Sequence, residues 1–401
     1  MLTNLMVYRQ LHADPIVKTM VDLVEHQQSD DVYRLTGQLL EVAGGISPGE
    51  YLARKLVLDE NAFTLAGEQR QAFAYPDLVE HDLALFCLLH EGIKTWFWEQ
   101  KENFPEGVYK LLGRTTTDAA YAPLVALLSA KDSTGLRQAI FSQVSLTGTG
   151  TLGMAHAFVY EHALLPLAAT DTIALEDLLG FEKEKEILCR NTEAFLHGKK
   201  ALNALLYGER GTGKSSTVKA LLNRYQHRGL KMIEVGKDHI EQLKSLLGLL
   251  RYRGGKYILF LDDLSFEDNE TDYKSLKAMM QGELEEKTDN VLIYATSNRR
   301  HLIRENWADR LDEFGEIHRS DSMEEKLSLA DRFGILLTYQ HFSKQQFLDL
   351  VRFLARRHGL PLSEETLVQE ALRFEMAGHG YSGRSAQQFV TMQLMQMSQE
   401  G

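Results

Sequence analysis

The sequence has 401 residues, beyond the roughly 100–200 that one compact core usually takes, so two or three domains are expected. Apolar residues make up 44% and charged residues 25% of it, the proportions of an ordinary globular chain, and with only seven prolines and no biased tract neither a long disordered arm nor a fibrous repeat fits. The net charge of −12 falls mostly on residues 1–170, which carry −8 of it; an acidic surface repels phosphate backbones, so nucleic acid is disfavoured as a partner except through a local basic patch.

The start, Met1 to Pro15, lacks the basic flank and continuous apolar stretch of a secretory signal, and nowhere do about 18 apolar residues run without charge. A cytoplasmic protein with no membrane partner is the expectation. From Asp14 the pattern is helical: Asp14-Pro15 reads as an N-cap and first-turn proline before the apolar face of Ile16, Met20, Leu23 and Val24, and Ser47-Pro48-Gly49-Glu50 has capping-box spacing. A strongly apolar run from Leu83 to Trp98 marks the centre of this region's core. Trp96, Phe97 and Trp98 cannot all face inward from one helix, which leaves one of them for an interface. Cys87 and Cys189 lie in helical apolar patterns and read as buried thiols, neither a disulfide nor a zinc site. The fourteen histidines include no HExxH and no cysteine-histidine grouping at zinc spacing.

Residues 1–147 therefore form a mostly helical N-terminal domain, and 148–170 a β-hairpin connector. Two motif matches here are set aside. Gly148-Thr-Gly150-Thr-Leu-Gly153 satisfies GxGxxG but precedes a strand instead of following one, and reads as a flexible turn. Gly45-Ile-Ser47-Pro48-Gly49 satisfies GxSxG, yet Pro48 has no N–H to lend to an oxyanion hole.

From Thr172 helices alternate with short apolar strands, the rhythm of a parallel α/β sheet. The predicted strands are 202–207, 231–235, 257–262, 291–296 and 335–339, giving an α/β domain over 171–340. Three helical segments over 341–401 follow it. The first strand runs into Gly208-Glu209-Arg210-Gly211-Thr212-Gly213-Lys214-Ser215-Ser216, which fits GxxxxGK[ST] and opens a helix: glycines fold backbone N–H groups round phosphates and the helix N-terminus adds partial positive charge. Lys214 would reach the β and γ phosphates of ATP, and the Ser215 hydroxyl would ligate Mg²⁺. The third strand ends in Asp262 and Asp263, the first placed to hold the metal through water and the second to polarise an attacking water. Asn298, at the end of the fourth strand, is placed to orient that water, against the plainer reading of a turn-forming Asn. Arg332, just before the fifth strand, could enter a neighbouring subunit's γ-phosphate, and Arg384, opening the last helix, could reach its own subunit's nucleotide; the plainer reading makes both surface salt-bridge partners. The basic clusters Arg251-Tyr-Arg253-Gly-Gly-Lys256 and Arg299-Arg300-His301 read as solvated helix ends in preference to nucleic-acid contacts.

This order of motifs, covering residues 171–401, resembles the AAA+ ATPases. The resemblance implies a P-loop fold with a five-stranded parallel sheet and a helical lid. It implies an adenine pocket lined by Leu178-Leu179-Gly180-Phe181, Asn298 as first sensor, Arg332 as arginine finger and Arg384 as second sensor, with activity from a ring of subunits. The stretches TEAFLHGKKALNALLYGERGTGKSS, FLDDLSFE, IYATSNRRHLI and EEKLSLADRFG resemble one bacterial group of AAA+ proteins, the domain of unknown function 815. Three features depart from the superfamily. Asp263 stands where many members have Glu, shortening the arm by about 1.5 Å and leaving room for slow hydrolysis. Arg310 competes with Arg332 for the finger, and Glu234-Val-Gly-Lys-Asp-His-Ile lacks the aromatic-apolar-glycine pattern of a threading pore loop.

The expected function is an ATPase that binds Mg·ATP and hydrolyses it, as a homo-oligomer, to remodel or load a macromolecular client held by the N-terminal domain. The alternative is an ATP-binding oligomeric switch or scaffold with little hydrolysis of its own.

Overall fold

Asp14 accepts hydrogen bonds from the N–H groups of Ile16 and Val17, both at 3.0 Å, and Pro15 supplies a first turn that needs no donor, so α1 (Pro15–His26) starts where the sequence places it. The computed structural model describes residues 1–42, 44–116, 118–168, 171–264, 289–298 and 332–400. They fall into two compact units, Met1–Ala155 with Tyr252–Gly255, and His156–Arg251 with Lys256–Gly401.

The first unit is helical: α1, α2 (Ser29–Glu41), α3 (Pro48–Leu58), α4 (Ala62–Glu68), α5 (Pro76–Gln100), α6 (Glu106–Leu112), α7 (Ala122–Ala130) and α8 (Ser133–Thr147). Val17, Met20 and Leu23 of α1 join Leu83, Phe86 and Ile93 of α5 in one core with Leu136, Ile140 and Val144 of α8. Trp96 and Phe97 turn inward while Trp98 is 53% exposed, the outcome the helical spacing requires. Ser47, read as no nucleophile, is a buried N-cap that accepts from the Glu50 N–H at 3.2 Å. Cys87 is buried as expected, but Cys189, in the second unit, is only half-buried.

Two carboxylates organise this unit. Asp82, fully buried on α5, accepts from the backbone N–H groups of Met6, Val7 and Tyr8 at 2.7–3.0 Å. It gathers three donors that no helix or sheet satisfies. Asp82→Ala is expected to destabilise the protein by about 3 kcal/mol, read as a lowered urea midpoint by tryptophan fluorescence, with Asp82→Asn falling between it and wild type.

The second carboxylate, Glu68, is 2% exposed and takes the Arg253 guanidinium in a fork, with Nε to Oε1 at 2.9 Å and Nη2 to Oε2 at 2.8 Å. Arg253 also donates to the Thr149 carbonyl at 2.7 Å and to Glu60 Oε1 at 2.5 Å. Gly254 donates its N–H to Glu68 Oε1 at 3.1 Å, and a Cβ on Gly254 would stand 1.8 Å from the Glu68 carbonyl oxygen, so no other residue fits. This corrects two expectations. Arg253 is not a solvated helix end, and Gly148–Gly153 is no flexible turn: Thr149 is fully buried, its N–H bonded to Glu68 and its hydroxyl to the Val57 carbonyl.

Among the described residues the second unit is built on a seven-stranded sheet in the order β2-β1-β4-β5-β6-β3-β7. The five strands read from the sequence are β3 (Ala204–Gly208), β4 (Leu230–Val235), β5 (Lys256–Leu261), β6 (Val291–Ser297) and β7 (Ile335–Tyr339), all parallel. The sheet is two strands wider than five. β1 (Ala157–Tyr160) of the hairpin pairs in parallel with β4, Ala157 opposite Met232, and β2 (Leu164–Pro166) closes the edge antiparallel to β1. Pairing of the open β4 edge satisfies its backbone, which a free-standing connector would leave exposed. Helices α9 (Glu182–Leu196), α10 (Lys214–Tyr225) and α11 (Leu243–Leu250) flank the sheet, and α12 (Lys344–Arg357), α13 (Glu364–Phe374) and α14 (Gly383–Glu400) form a C-terminal helical cluster with its own core of Phe347, Val351, Ala371 and Phe389.

Candidate functional site

The site begins where β3 ends. Gly208 has φ +131°, and a Cβ there would stand 2.1 Å from the Tyr339 carbonyl oxygen, so only glycine lets the chain leave the sheet beside β7. That carbonyl accepts from the Glu209 N–H at 3.0 Å. The loop then rises to Gly213, whose φ of +93° makes it the N-cap of α10 and leaves the first N–H groups of α10 outside the helical ladder. Thr212 fixes the loop from inside, its hydroxyl donating to the Glu209 carbonyl at 2.9 Å.

Lys214, 5% exposed, donates from Nζ to the carbonyls of Gly208 at 3.0 Å and Glu209 at 2.6 Å. Burial pulls its ammonium down to about 8, opposed by the charges of Asp263 and Asp262. One residue on, the Ser215 hydroxyl donates to Asp262 Oδ1 at 2.6 Å, and the Thr296 hydroxyl of β6 donates to the same oxygen at 2.5 Å. A hydroxyl and a carboxylate meeting at the phosphate loop are the hard oxygen donors that Mg²⁺ takes, one or two from protein with the remainder from water and phosphate. Among the described residues no group of three or more His, Cys, Asp or Glu is arranged to hold a metal, a set that Mg²⁺ at a phosphate site does not need.

Asp263 sits in the left-handed region at φ +53°, an uncommon conformation outside glycine that Asp tolerates better than most residues. Its N–H donates to the Thr296 hydroxyl at 2.8 Å. The carboxylate is engaged on both oxygens: Asn298 Nδ2 donates to Oδ1, and Lys237 Nζ lies 3.1 Å from Oδ2. Sequence reasoning brought Asp262, Asp263 and Asn298 together and missed Thr296, which bonds both aspartates, and Lys237, which pairs with Asp263. Thr296 shows as a signal only in retrospect, as the polar residue two before Asn298, near the end of β6. Lys237 stands in a 3-10 turn after β4, Lys237–Gln242, with nothing in its sequence context to mark it.

A cavity of about 690 Å³ joins these groups to the C-terminal helices. Its phosphate end carries Arg210 to Thr217, Asp262, Asp263 and Asn298, and its far end Ile173, Leu178 to Phe181, Leu350 and Leu354. Phe181, at φ +56°, stacks on Tyr339 with centroids 4.4 Å apart and leans on Phe342 at 5.6 Å, so its ring props this end of the cavity from behind. Arg384 lines the cavity, and the N–H groups of Gly383 and Arg384 donate to the Gly211 carbonyl at 2.8 and 3.3 Å. Arg332 is half-buried and does not line it. It precedes β7, whose register pairs Ile335 with Ala204 and Tyr339 with Gly208, so Arg332 stands at the sheet edge opposite the phosphate loop. Arg310 and the basic cluster at 299–301 lie outside the described residues.

The family model described as "Protein of unknown function (DUF815)" matches residues 153–397, more than half of the chain and every residue lining the cavity. The chain belongs to this family. Solved structures similar to the DUF815 chain include a single-residue variant of Thermotoga maritima RuvB, at 13% identity over 55% of this chain and 71% of that one with a TM-score of 0.35. Another is the Thermotoga maritima RuvB Holliday junction branch migration motor, at 13% identity over the same shares with a TM-score of 0.33. No curated protein matches the DUF815 chain. Among its described residues no helix is long and apolar enough to cross a membrane.

Proposed function

We propose that this chain is a Mg·ATP-dependent ATPase that works as a homo-oligomer and turns hydrolysis into rearrangement of a macromolecular client held by the helical N-terminal unit. The observation that carries the reading is the convergence of Lys214, the Ser215–Asp262 pair and the Asp263–Asn298 pair on one cavity with an apolar far end. In it the N–H groups from Gly211 to Ser216 and the Lys214 ammonium bind and orient the β and γ phosphates. Ser215 and Asp262 would hold Mg²⁺, which would supply positive charge against that of the phosphoryl oxygens. Asp263 takes up a proton from the attacking water, Asn298 fixes that water's position, and the apolar end seats the adenine while turning solvent away. Arg384 reaches the same subunit's nucleotide, and Arg332, at the far sheet edge, serves a neighbour's.

One observation favours the alternative of an ATP-bound switch with little hydrolysis. Both oxygens of Asp263 are already engaged, by Asn298 and Lys237, so an attacking water has to share the carboxylate with these two donors. Steady-state phosphate release across a concentration series separates the two readings. A rate per subunit that rises with concentration and is lost in Lys214→Ala, Asp263→Asn and Arg332→Ala supports the shared-site ATPase; ATP binding without turnover at any concentration supports the switch.

Protonation of Lys214 gives a further expected result. Phosphate favours the charged ammonium, so binding raises a pKa that starts at about 8. ATP affinity should hold level below pH 8 and fall above it, by up to about tenfold per pH unit. Calorimetry at pH 9 in two buffers of different ionisation enthalpy should show uptake of close to one proton per ATP, and at pH 7 almost none. Equal uptake at both values would exclude Lys214 as the titrating group.

A further inference from the structure

We infer that the ion pair between Asp177 and Arg357 is a strap across the far end of the cavity, and that its opening governs how fast a bound purine nucleotide leaves. The inference rests on the nucleotide-site reading above and adds to it the pair of residues that controls exchange.

Both partners line the cavity, and Arg357 Nη1 lies 2.5 Å from Asp177 Oδ1. Each is carried on a firm support. Asp177 ends a 3-10 turn, Leu175–Asp177, whose own start it caps by accepting from the Ala174 N–H at 3.1 Å. The surrounding segment is pinned to the sheet's flanking helices: Asn223 of α10 donates to the carbonyls of Asp171 at 2.6 Å and Ile173 at 2.9 Å, Arg224 pairs with Glu176 at 3.0 Å, and Lys185 of α9 donates to the Leu178 carbonyl. Arg357 is the last residue of α12, a helix held by Phe347, Leu350, Val351 and Ala355 in the C-terminal core. The Arg357 hydrogen bond holds the Asp177 carboxyl below its ordinary range, with the Ala174 N–H helping, so the pair stays ionised at neutral pH.

The C-terminal helices are thus tied to the sheet at both ends of one cavity by unlike means. At the phosphate end the ties are backbone hydrogen bonds from Gly383 and Arg384 to Gly211, which side-chain chemistry cannot release. At the far end Leu179 and Phe181 pack on the C-terminal core, and the polar tie beside them is a half-exposed ion pair, 48% and 23% accessible on its two side chains, within reach of solvent and salt. The backbone ties act as the hinge and the ion pair as the part that opens. Apolar side chains on the two sides of that opening, Ile173 and Leu178 on one and Leu350 and Leu354 on the other, are the walls a flat heteroaromatic base would occupy.

The test is release of N-methylanthraniloyl-ADP from the full-length protein by stopped-flow fluorescence. Asp177→Asn and Arg357→Gln are each expected to speed release about two- to fivefold, the range of a partly exposed pair. The charge-reversed double variant, Asp177→Arg with Arg357→Asp, is expected to return towards the wild-type rate, which a merely structural role would not produce. Raising salt from 50 to 500 mM should speed release from wild type by a larger factor than from the single variants, which keep only the screening of the phosphate contacts. Wild-type release rates in both single variants, or a salt response equal in size to that of wild type, would overturn the strap while leaving the nucleotide site standing. No binding of the probe to wild type would overturn the nucleotide site and the strap together.

Discussion

Replacing Lys214 by alanine is expected to weaken ATP binding about 10- to 150-fold, the worth of a charge-assisted hydrogen bond of roughly 1.5–3 kcal/mol, and to bring phosphate release to background. Its ammonium is nearly enclosed and reaches the loop from within, donating to the carbonyls of Gly208 and Glu209. The loop itself should survive the change. Its shape comes from Gly208 against Tyr339, from the Thr212 hydroxyl and from the Gly213 N-cap, none of which uses the lysine. Unaltered circular dichroism with lost nucleotide binding is the expected pair of results, and ATP binding of wild-type strength would remove Lys214 from the site.

Asp263→Asn carries the second large effect. It keeps the side chain's shape and deletes the charge, so ATP should bind with little change while turnover falls about 10²- to 10⁴-fold, the usual weight of a general base. A second readout follows from electrostatics. Among the charges that hold the Lys214 ammonium up against burial, Asp263 is the largest, so removing it should move the fall of ATP affinity to lower pH. Should turnover prove equal in wild type and variant, Asp263 is no base and the switch reading takes over; the shifted pH profile would still report its proximity to the phosphates.

The phosphate loop and the ends of β5 and β6 were legible because each element there obeys a local rule: an apolar strand, glycines where φ must turn positive, and polar residues at strand ends. All five parallel strands lie within two residues of their expected bounds. What stayed hidden was set by partners distant in sequence. Thr296 and Lys237 act on carboxylates 26 to 34 residues away, and nothing in the spacing of a threonine or a lysine announces that. The hairpin's membership of the sheet depends on β4 having an open edge, a property of the assembled sheet. Arg253 looked like one of a basic cluster because its counter-charge, Glu68, stands 185 residues earlier.

The Tyr252–Gly255 segment makes the N-terminal unit discontinuous in the chain, and that limits how the protein can be taken apart. A fragment ending at Ala155 retains the enclosed Glu68 carboxylate and discards the guanidinium that neutralises it, which leaves a buried charge uncompensated. A fragment drawn along the family boundary at residue 153 makes the opposite error, keeping Arg253 without Glu68 or Glu60. No single cut releases both units whole, so the N-terminal unit has to be made as a fusion that grafts Tyr252–Gly255 back onto residues 1–155, or be studied within the intact chain.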